Sequence, residues 1–179
     1  LWTDAETEFD GFGASGLGDA DNVSETEELS ANVSLTGSLF DERLENLLLV
    51  GYADIDRQNF NNGAPGFGAT GDRVLYRYQG TLGINDANKL AFGVEREETM
   101  SGDEDTSIDG VFALYEWQAA EALTHTGGLR IYDHSTFGTE TTGRVAAAYN
   151  PNLQLTLRAS WGQGFKAPTL FQLSGGGFA

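Results

Sequence analysis

The stretch that decides the fold is Arg73-Val-Leu-Tyr-Arg-Tyr-Gln-Gly-Thr-Leu-Gly-Ile84. Its even positions read Val74, Tyr76, Tyr78, Gly80, Leu82 and Ile84; its odd ones read Arg73, Leu75, Arg77, Gln79, Thr81 and Gly83. In a strand, successive side chains point to opposite faces, so one face is apolar and aromatic and the other mostly polar. The pattern recurs. Leu153, Leu155, Leu157, Ala159 and Trp161 alternate with Gln154, Thr156, Arg158 and Ser160. Val145, Ala147 and Tyr149 alternate with Arg144, Ala146 and Ala148, and Thr124, Thr126, Gly128 and Arg130 alternate with more apolar neighbours. Weaker versions cover 29–39, 44–55, 89–97 and 107–119; in the last, Val111, Ala113, Tyr115 and Trp117 share a face.

Composition suits this reading. The chain has 24 glycines, three prolines and no cysteine, so neither a disulfide framework nor a thiolate metal site is available. The opening residues carry no basic segment followed by an apolar one, as a secretory signal would. The longest dense apolar run, 47–50, is far short of the roughly 20 residues a membrane helix needs. A transmembrane strand needs only about 9–11 residues, and only every second one must be apolar.

Connections separate the strands in two kinds. Short links are expected at 40–43, 85–88, 119–122 and 150–152, and longer polar ones near 58–72, 99–106 and 133–140, after a glycine-rich stretch at 10–28. Outer-membrane barrels have short turns at one end and long loops at the other. Arg77, Arg130, Arg144 and Arg158 fall on the polar face, as a wet or plugged lumen requires, because a charge facing lipid at mid-depth costs about 2–4 kcal/mol. Tyr52, Tyr76, Tyr78, Trp117 and Trp161 are expected toward strand ends on the apolar face, as an interfacial girdle. A soluble sheet with one solvated face shows the same alternation.

Charge excludes some functions. The net charge is −17, and residues 1–28 hold nine carboxylates with no Lys or Arg, so nucleic acid, which requires clustered cations, is not a partner. Gly11-Phe-Gly13-Ala-Ser-Gly16 formally matches a dinucleotide fingerprint, but its acidic setting and lack of a preceding buried strand make it a loop. Asp19 and Asp21, and Asp103 and Asp105, could present carboxylates to Ca²⁺, without the spacing of a helix–loop–helix site; no other cofactor is expected. His125, on the apolar face, and His134, in a loop, are the two histidines, and no nucleophile–base pair stands out, so no enzyme is expected. The sequons at Asn22 and Asn32 carry no weight in a bacterial barrel.

Residues 159–173, Ala-Ser-Trp-Gly-Gln-Gly-Phe-Lys-Ala-Pro-Thr-Leu-Phe-Gln-Leu, resemble the barrel signature of TonB-dependent receptors, whose motif is here Gly164, Phe165, Lys166, Ala167 and Pro168. The stretches 128–138 and 143–149 look like the same family, and 48–57 is similar to its cobalamin-receptor branch. The likeness is most specific over 107–173. It implies an all-β, antiparallel up-and-down transmembrane barrel similar to a 22-stranded cylinder, with about eight or nine strands in this chain. Within 1–179, residues 1–28 would be an acidic strand end and extracellular loop, 29–164 a meander of transmembrane strands, and 165–179 the start of another extracellular loop. A plug domain, the box that engages TonB and a closing aromatic strand are not read in this stretch. The resemblance further implies a bacterial outer-membrane location among lipid and lipopolysaccharide, with TonB engaged through a plug. The imported nutrient would be a corrinoid such as vitamin B12, or a ferric siderophore, touching loops 59–72 and 132–139 and the four arginines. The motif is expected to shape the barrel rim rather than touch substrate. The alternatives are a self-contained barrel of eight or ten strands and a soluble β-sandwich binding module.

Overall fold

The computed structural model describes residues 1–166 apart from 14, 15 and 19, and only the backbone of 11–13 and 16–18. Nine strands form one antiparallel sheet: β1 (Trp2–Glu8), β4 (Asn22–Leu39), β5 (Leu44–Asn61), β6 (Ala64–Asn85), β7 (Asn88–Ser101), β8 (Glu104–Ala120), β9 (Leu123–His134), β10 (Gly138–Asn152) and β11 (Leu155–Gly162). Each pairs with the next in sequence; β2 (Gly11–Gly13) and β3 (Gly16–Gly18) make a small separate ribbon between β1 and β4. Among the described residues there is no helix.

This is a single layer without a core. No apolar side chain is buried among the described residues, and Val33, Leu35, Val50, Val94, Leu129, Val145 and Leu157 stand exposed. The register puts them on one side. One cross-strand row runs Leu44, Leu82, Leu90, Tyr115, Gly127, Val145, Trp161. Leu44 opens β5, whereas Trp161 lies six residues into β11, so rows climb steadily relative to the turns. A sheet whose rows climb this way has the stagger of tilted barrel strands. The sheet stays open: β1 and β11 do not pair with each other. A closed barrel made of these strands alone would require that pairing, and a soluble sandwich would need a second layer over the apolar face.

The expected contrast of turn lengths is corrected. Residues 58–72 and 99–106 are not loops; they are strand continuations ending in tight turns. Asn62 and Gly63 both have positive φ (51° and 77°), the conformation a two-residue hairpin turn demands, and Asn-Gly is the pair that adopts it most readily. Gly102 (φ 61°) does the same for β7–β8. What differs between the two ends of the sheet is how far the strands run. At the other end, Asn85 Oδ1 accepts from Ala87 N (3.0 Å), and Asn152 Oδ1 accepts from Gln154 N (2.9 Å). The 150–152 link is likewise strand: β10 continues through Pro151, where the missing N–H is tolerated because pairing is irregular between Tyr149 and Asn152.

The apolar face ends sharply. Asp54, Asp109 and Asp133 are the charges that interrupt it on β5, β8 and β9, and each stands ten or eleven residues from the short turn at its strand's end. That matches the span of a transmembrane strand. Beyond it the same face is acidic, with Asp4 opposite Glu27, Asp54 opposite Asp72 and Asp109 opposite Asp133.

Candidate functional site

The polar face gathers its charges around Glu95 of β7. Glu95 Oε2 accepts from Arg77 Nε (3.1 Å) and Nη2 (2.9 Å) on the neighbouring β6. Its other oxygen meets Arg130 Nη2, which belongs to β9, two strands away. The strand between contributes Gly110, and a Cβ there would stand 2.9 Å from Glu95 Cγ. A bare backbone at 110 therefore lets the carboxylate cross β8. The same device repeats below: the Phe112 ring lies over Gly93, and Leu114 leans over Gly128. Glu95 keeps only 12% of its side chain exposed, and two guanidinia hold it there. Charge-assisted bonds in such a setting are roughly twice as strong as neutral ones.

Aromatic rings flank the pair. The Arg130 guanidinium lies 4.6 Å from the Tyr132 ring centre and 5.4 Å from that of Phe112, both within cation–π range. Arg144 and Arg158 project from the same face as Arg77 and Arg130, since Arg144 is opposite Gly128 and Arg158 opposite Ala148. The structure thus brings Arg77 and Arg130 together on Glu95, sets Arg144 beside them and leaves Arg158 apart. Glu95, Gly110 and Phe112 are not singled out by the sequence, and Tyr132 enters it only as the first residue of the candidate contact loop 132–139. The available signal was Glu95 itself, a carboxylate on the polar alternation of β7.

All five aromatic candidates project from the apolar face. Trp117 and Trp161 are near strand ends, but Tyr52, Tyr76 and Tyr78 are mid-strand, because β5 and β6 run on past the expected loop. Tyr52 instead lies one row from the first charge on β5, Asp54, and Tyr76 lies directly opposite Arg96. Tyr78 sits one row deeper, where its hydroxyl donates to Asn46 Oδ1 (2.9 Å) and its ring meets Phe92 edge-on (6.3 Å). Trp117 lies 5.8 Å from His125. On the same face Arg96 is covered by Glu98 (2.8 Å) and Asp109 (3.0 Å).

His134 is not in a loop. It ends β9, 3% exposed, with Nδ1 accepting from Thr136 N (3.0 Å) and the ring 4.7 Å from Phe137. Of the calcium candidates, Asp19 lies outside the described residues; Asp21 precedes β4, Asp103 is in a turn and Asp105 in β8. Among the described residues no three Asp, Glu or His gather into a group able to hold a metal ion.

The sheet is thus two-faced, staggered and a single layer, with arginines on its polar side. The family described as TonB dependent receptor-like, beta-barrel matches residues 2–179. The chain belongs to that family. It is 23% identical over 161 residues to the vitamin B12 transporter BtuB of Photobacterium profundum, a match covering 83% of this chain and 26% of the transporter. Two variants of the ferric enterobactin receptor PfeA of Pseudomonas aeruginosa share its fold, each with a TM-score of 0.72 and 19% identity over 85% of this chain and 27% of the receptor. The chain thus spans about a quarter of the length of these proteins.

The stretch read from sequence as the family motif begins directly after β11. Gln163 N donates to Gly143 O (2.9 Å) and Gln163 Oε1 accepts from Gly143 N (3.2 Å), so the chain stays tied to β10 for one residue past the strand. Phe165 then stacks on Tyr132 (5.8 Å between ring centres), adjoining the Arg130 cluster. Lys166 is exposed. Ala167 and Pro168 lie outside the described residues.

Proposed function

We propose that these nine strands form part of the wall of an outer-membrane receptor that imports a scarce nutrient, with the apolar face in lipid and the polar face lining the lumen. The observation that carries the reading is the two-faced register. On β5, β8 and β9 the apolar face gives way to charge ten or eleven residues from the short turn, while Arg77, Arg130, Arg144 and Arg158 stay on the opposite face. Those arginines would cost about 2–4 kcal/mol each facing lipid at mid-depth, so a wet or filled lumen is the environment they fit.

On this reading the strand extensions beyond Asp54, Asp109 and Asp133 stand outside the cell, with the β5–β6 hairpin tip among the residues offered to the nutrient. Residues 1–28 belong to the same outer region. Lys166, exposed past β11, would meet lipopolysaccharide phosphate, and a plug domain elsewhere in the receptor would engage TonB. The names of the relatives support a corrinoid or a ferric siderophore as cargo. Tyr52, Tyr76 and Trp117 suit membrane interfaces, where amphipathic rings are favoured.

The test is uptake by the full receptor in a Gram-negative host lacking its own corrinoid and siderophore receptors. Labelled cyanocobalamin or ferric enterobactin should accumulate, and only while TonB is intact. Equal accumulation without TonB, or none of either compound, would sink the proposal.

A further inference from the structure

We infer that the hollow beside Arg130 is an oxyanion site on the receptor's inner wall, built for a carboxylate. The inference rests on the polar face being the lumen. The hollow encloses about 420 Å³, lined by Arg77, Arg130, Arg144, Tyr132 and Gln163 over the bare backbone of Gly128. Arg144 Cγ lies 3.4 Å from where a Cβ on Gly128 would stand, so that glycine keeps the floor open.

The charges there do not balance. Three guanidinia meet one carboxylate, and both Glu95 oxygens are already taken, one by Arg77 and the other by Arg130. Arg144 has no carboxylate partner among the described residues, and Arg130 Nε is shielded from solvent without an acceptor. The imbalance is conspicuous in a chain with 27 acidic residues against ten Lys and Arg. A shielded donor without a partner carries a penalty that an arriving oxyanion removes. The Arg130 guanidinium lies within cation–π range of Tyr132 and Phe112, and a guanidinium presents its donors in one plane, the geometry a carboxylate matches.

The carboxylate could belong to a free solute in the lumen or to an acidic side chain of the receptor's own lumen-filling domain. One experiment separates them. The full receptor, purified in detergent, is titrated calorimetrically with citrate, as wild type, Arg144→Gln and Lys89→Gln; Lys89 shares the polar face but lies outside the hollow. Citrate binding that weakens with added salt, falls tenfold or more in Arg144→Gln and persists in Lys89→Gln assigns the site to a solute. Without citrate binding, faster protease cleavage of the lumen domain in Arg144→Gln, but not in Lys89→Gln, assigns it to that domain's carboxylate. No citrate binding together with unchanged cleavage overturns the inference, as does equal loss in both variants. Insertion into vesicles as a heat-modifiable barrel is read on the same samples; its failure would discredit the wall assignment itself, whereas its success beside a silent titration would discredit only the anion site.

Discussion

Glu95 on β7 bonds Arg130 on β9 by passing over Gly110 of the strand between them. Sheet neighbours normally interact between adjacent strands, so this contact ties three strands with one carboxylate, and Arg77 extends the tie to a fourth. Gly110→Val should push Glu95 aside and cost about 1–3 kcal/mol, the usual penalty for overpacking. Glu95→Ala should cost about 1.5–3 kcal/mol through its charged hydrogen bonds. Because both changes break one contact, the double variant should be less destabilised than the sum, measured by urea unfolding in detergent. Strict additivity would show that Gly110 serves something else.

Leu129 is 64% exposed on the apolar face and lies six residues from the turn that opens β9. Leu129→Arg should lower insertion into phospholipid vesicles, at about 2–4 kcal/mol if the side chain sits near mid-depth. Thr126→Arg, on the opposite face of the same strand, should insert like wild type. Equal loss from both would contradict the assignment of faces.

Gly80 on β6 lies beneath the Phe92 ring, and a Cβ there would meet Phe92 Cζ at 2.6 Å. Gly80→Ala should destabilise by about 1–3 kcal/mol, and Phe92→Leu in the same chain should relieve much of that. The measurement is the unfolding midpoint of each variant; no relief would mean that the strain lies in the backbone.

Asp54 and Asp72 face each other across β5 and β6, and like charges so placed repel. Asp54→Asn should therefore strengthen the hairpin by about 0.2–1 kcal/mol. Amide exchange near Asn62 and Gly63 should slow in low salt, with the gain shrinking as salt screens the pair. Faster exchange would mean that the carboxylate has a compensating partner.

Both edges of the sheet, β1 and β11, present backbone groups that are unpaired among the described residues. These nine strands expressed alone in detergent should associate through those edges into oligomers, visible by size-exclusion chromatography. A monodisperse, heat-resistant monomer would revive the self-contained barrel.

Much of the strand pattern was legible because alternation is loud where one face is apolar from end to end. Val74 through Ile84 read as a strand at once. The continuation of β6 back to Ala64 did not, because Gly66, Gly68 and Asp72 read as loop, and a stretch of small residues on both faces has no alternation to show. The Asn62-Gly63 turn was a local signal passed over in favour of a long polar link. Of the polar-face arginines, sequence supplied the face but neither the partner nor the grouping.

The sequence by itself determined which side chains share a face, because strand geometry sends alternate residues to opposite sides whatever lies next to them. The family to which those faces belong is likewise set by the sequence, matched over residues 2–179. Only the tertiary structure decided that Arg77 and Arg130 close on Glu95 while Arg144 stands without a carboxylate among the described residues and Phe165 rests on Tyr132. Those contacts depend on register across several strands and on side chains leaning over glycines, and neither is encoded in any one strand.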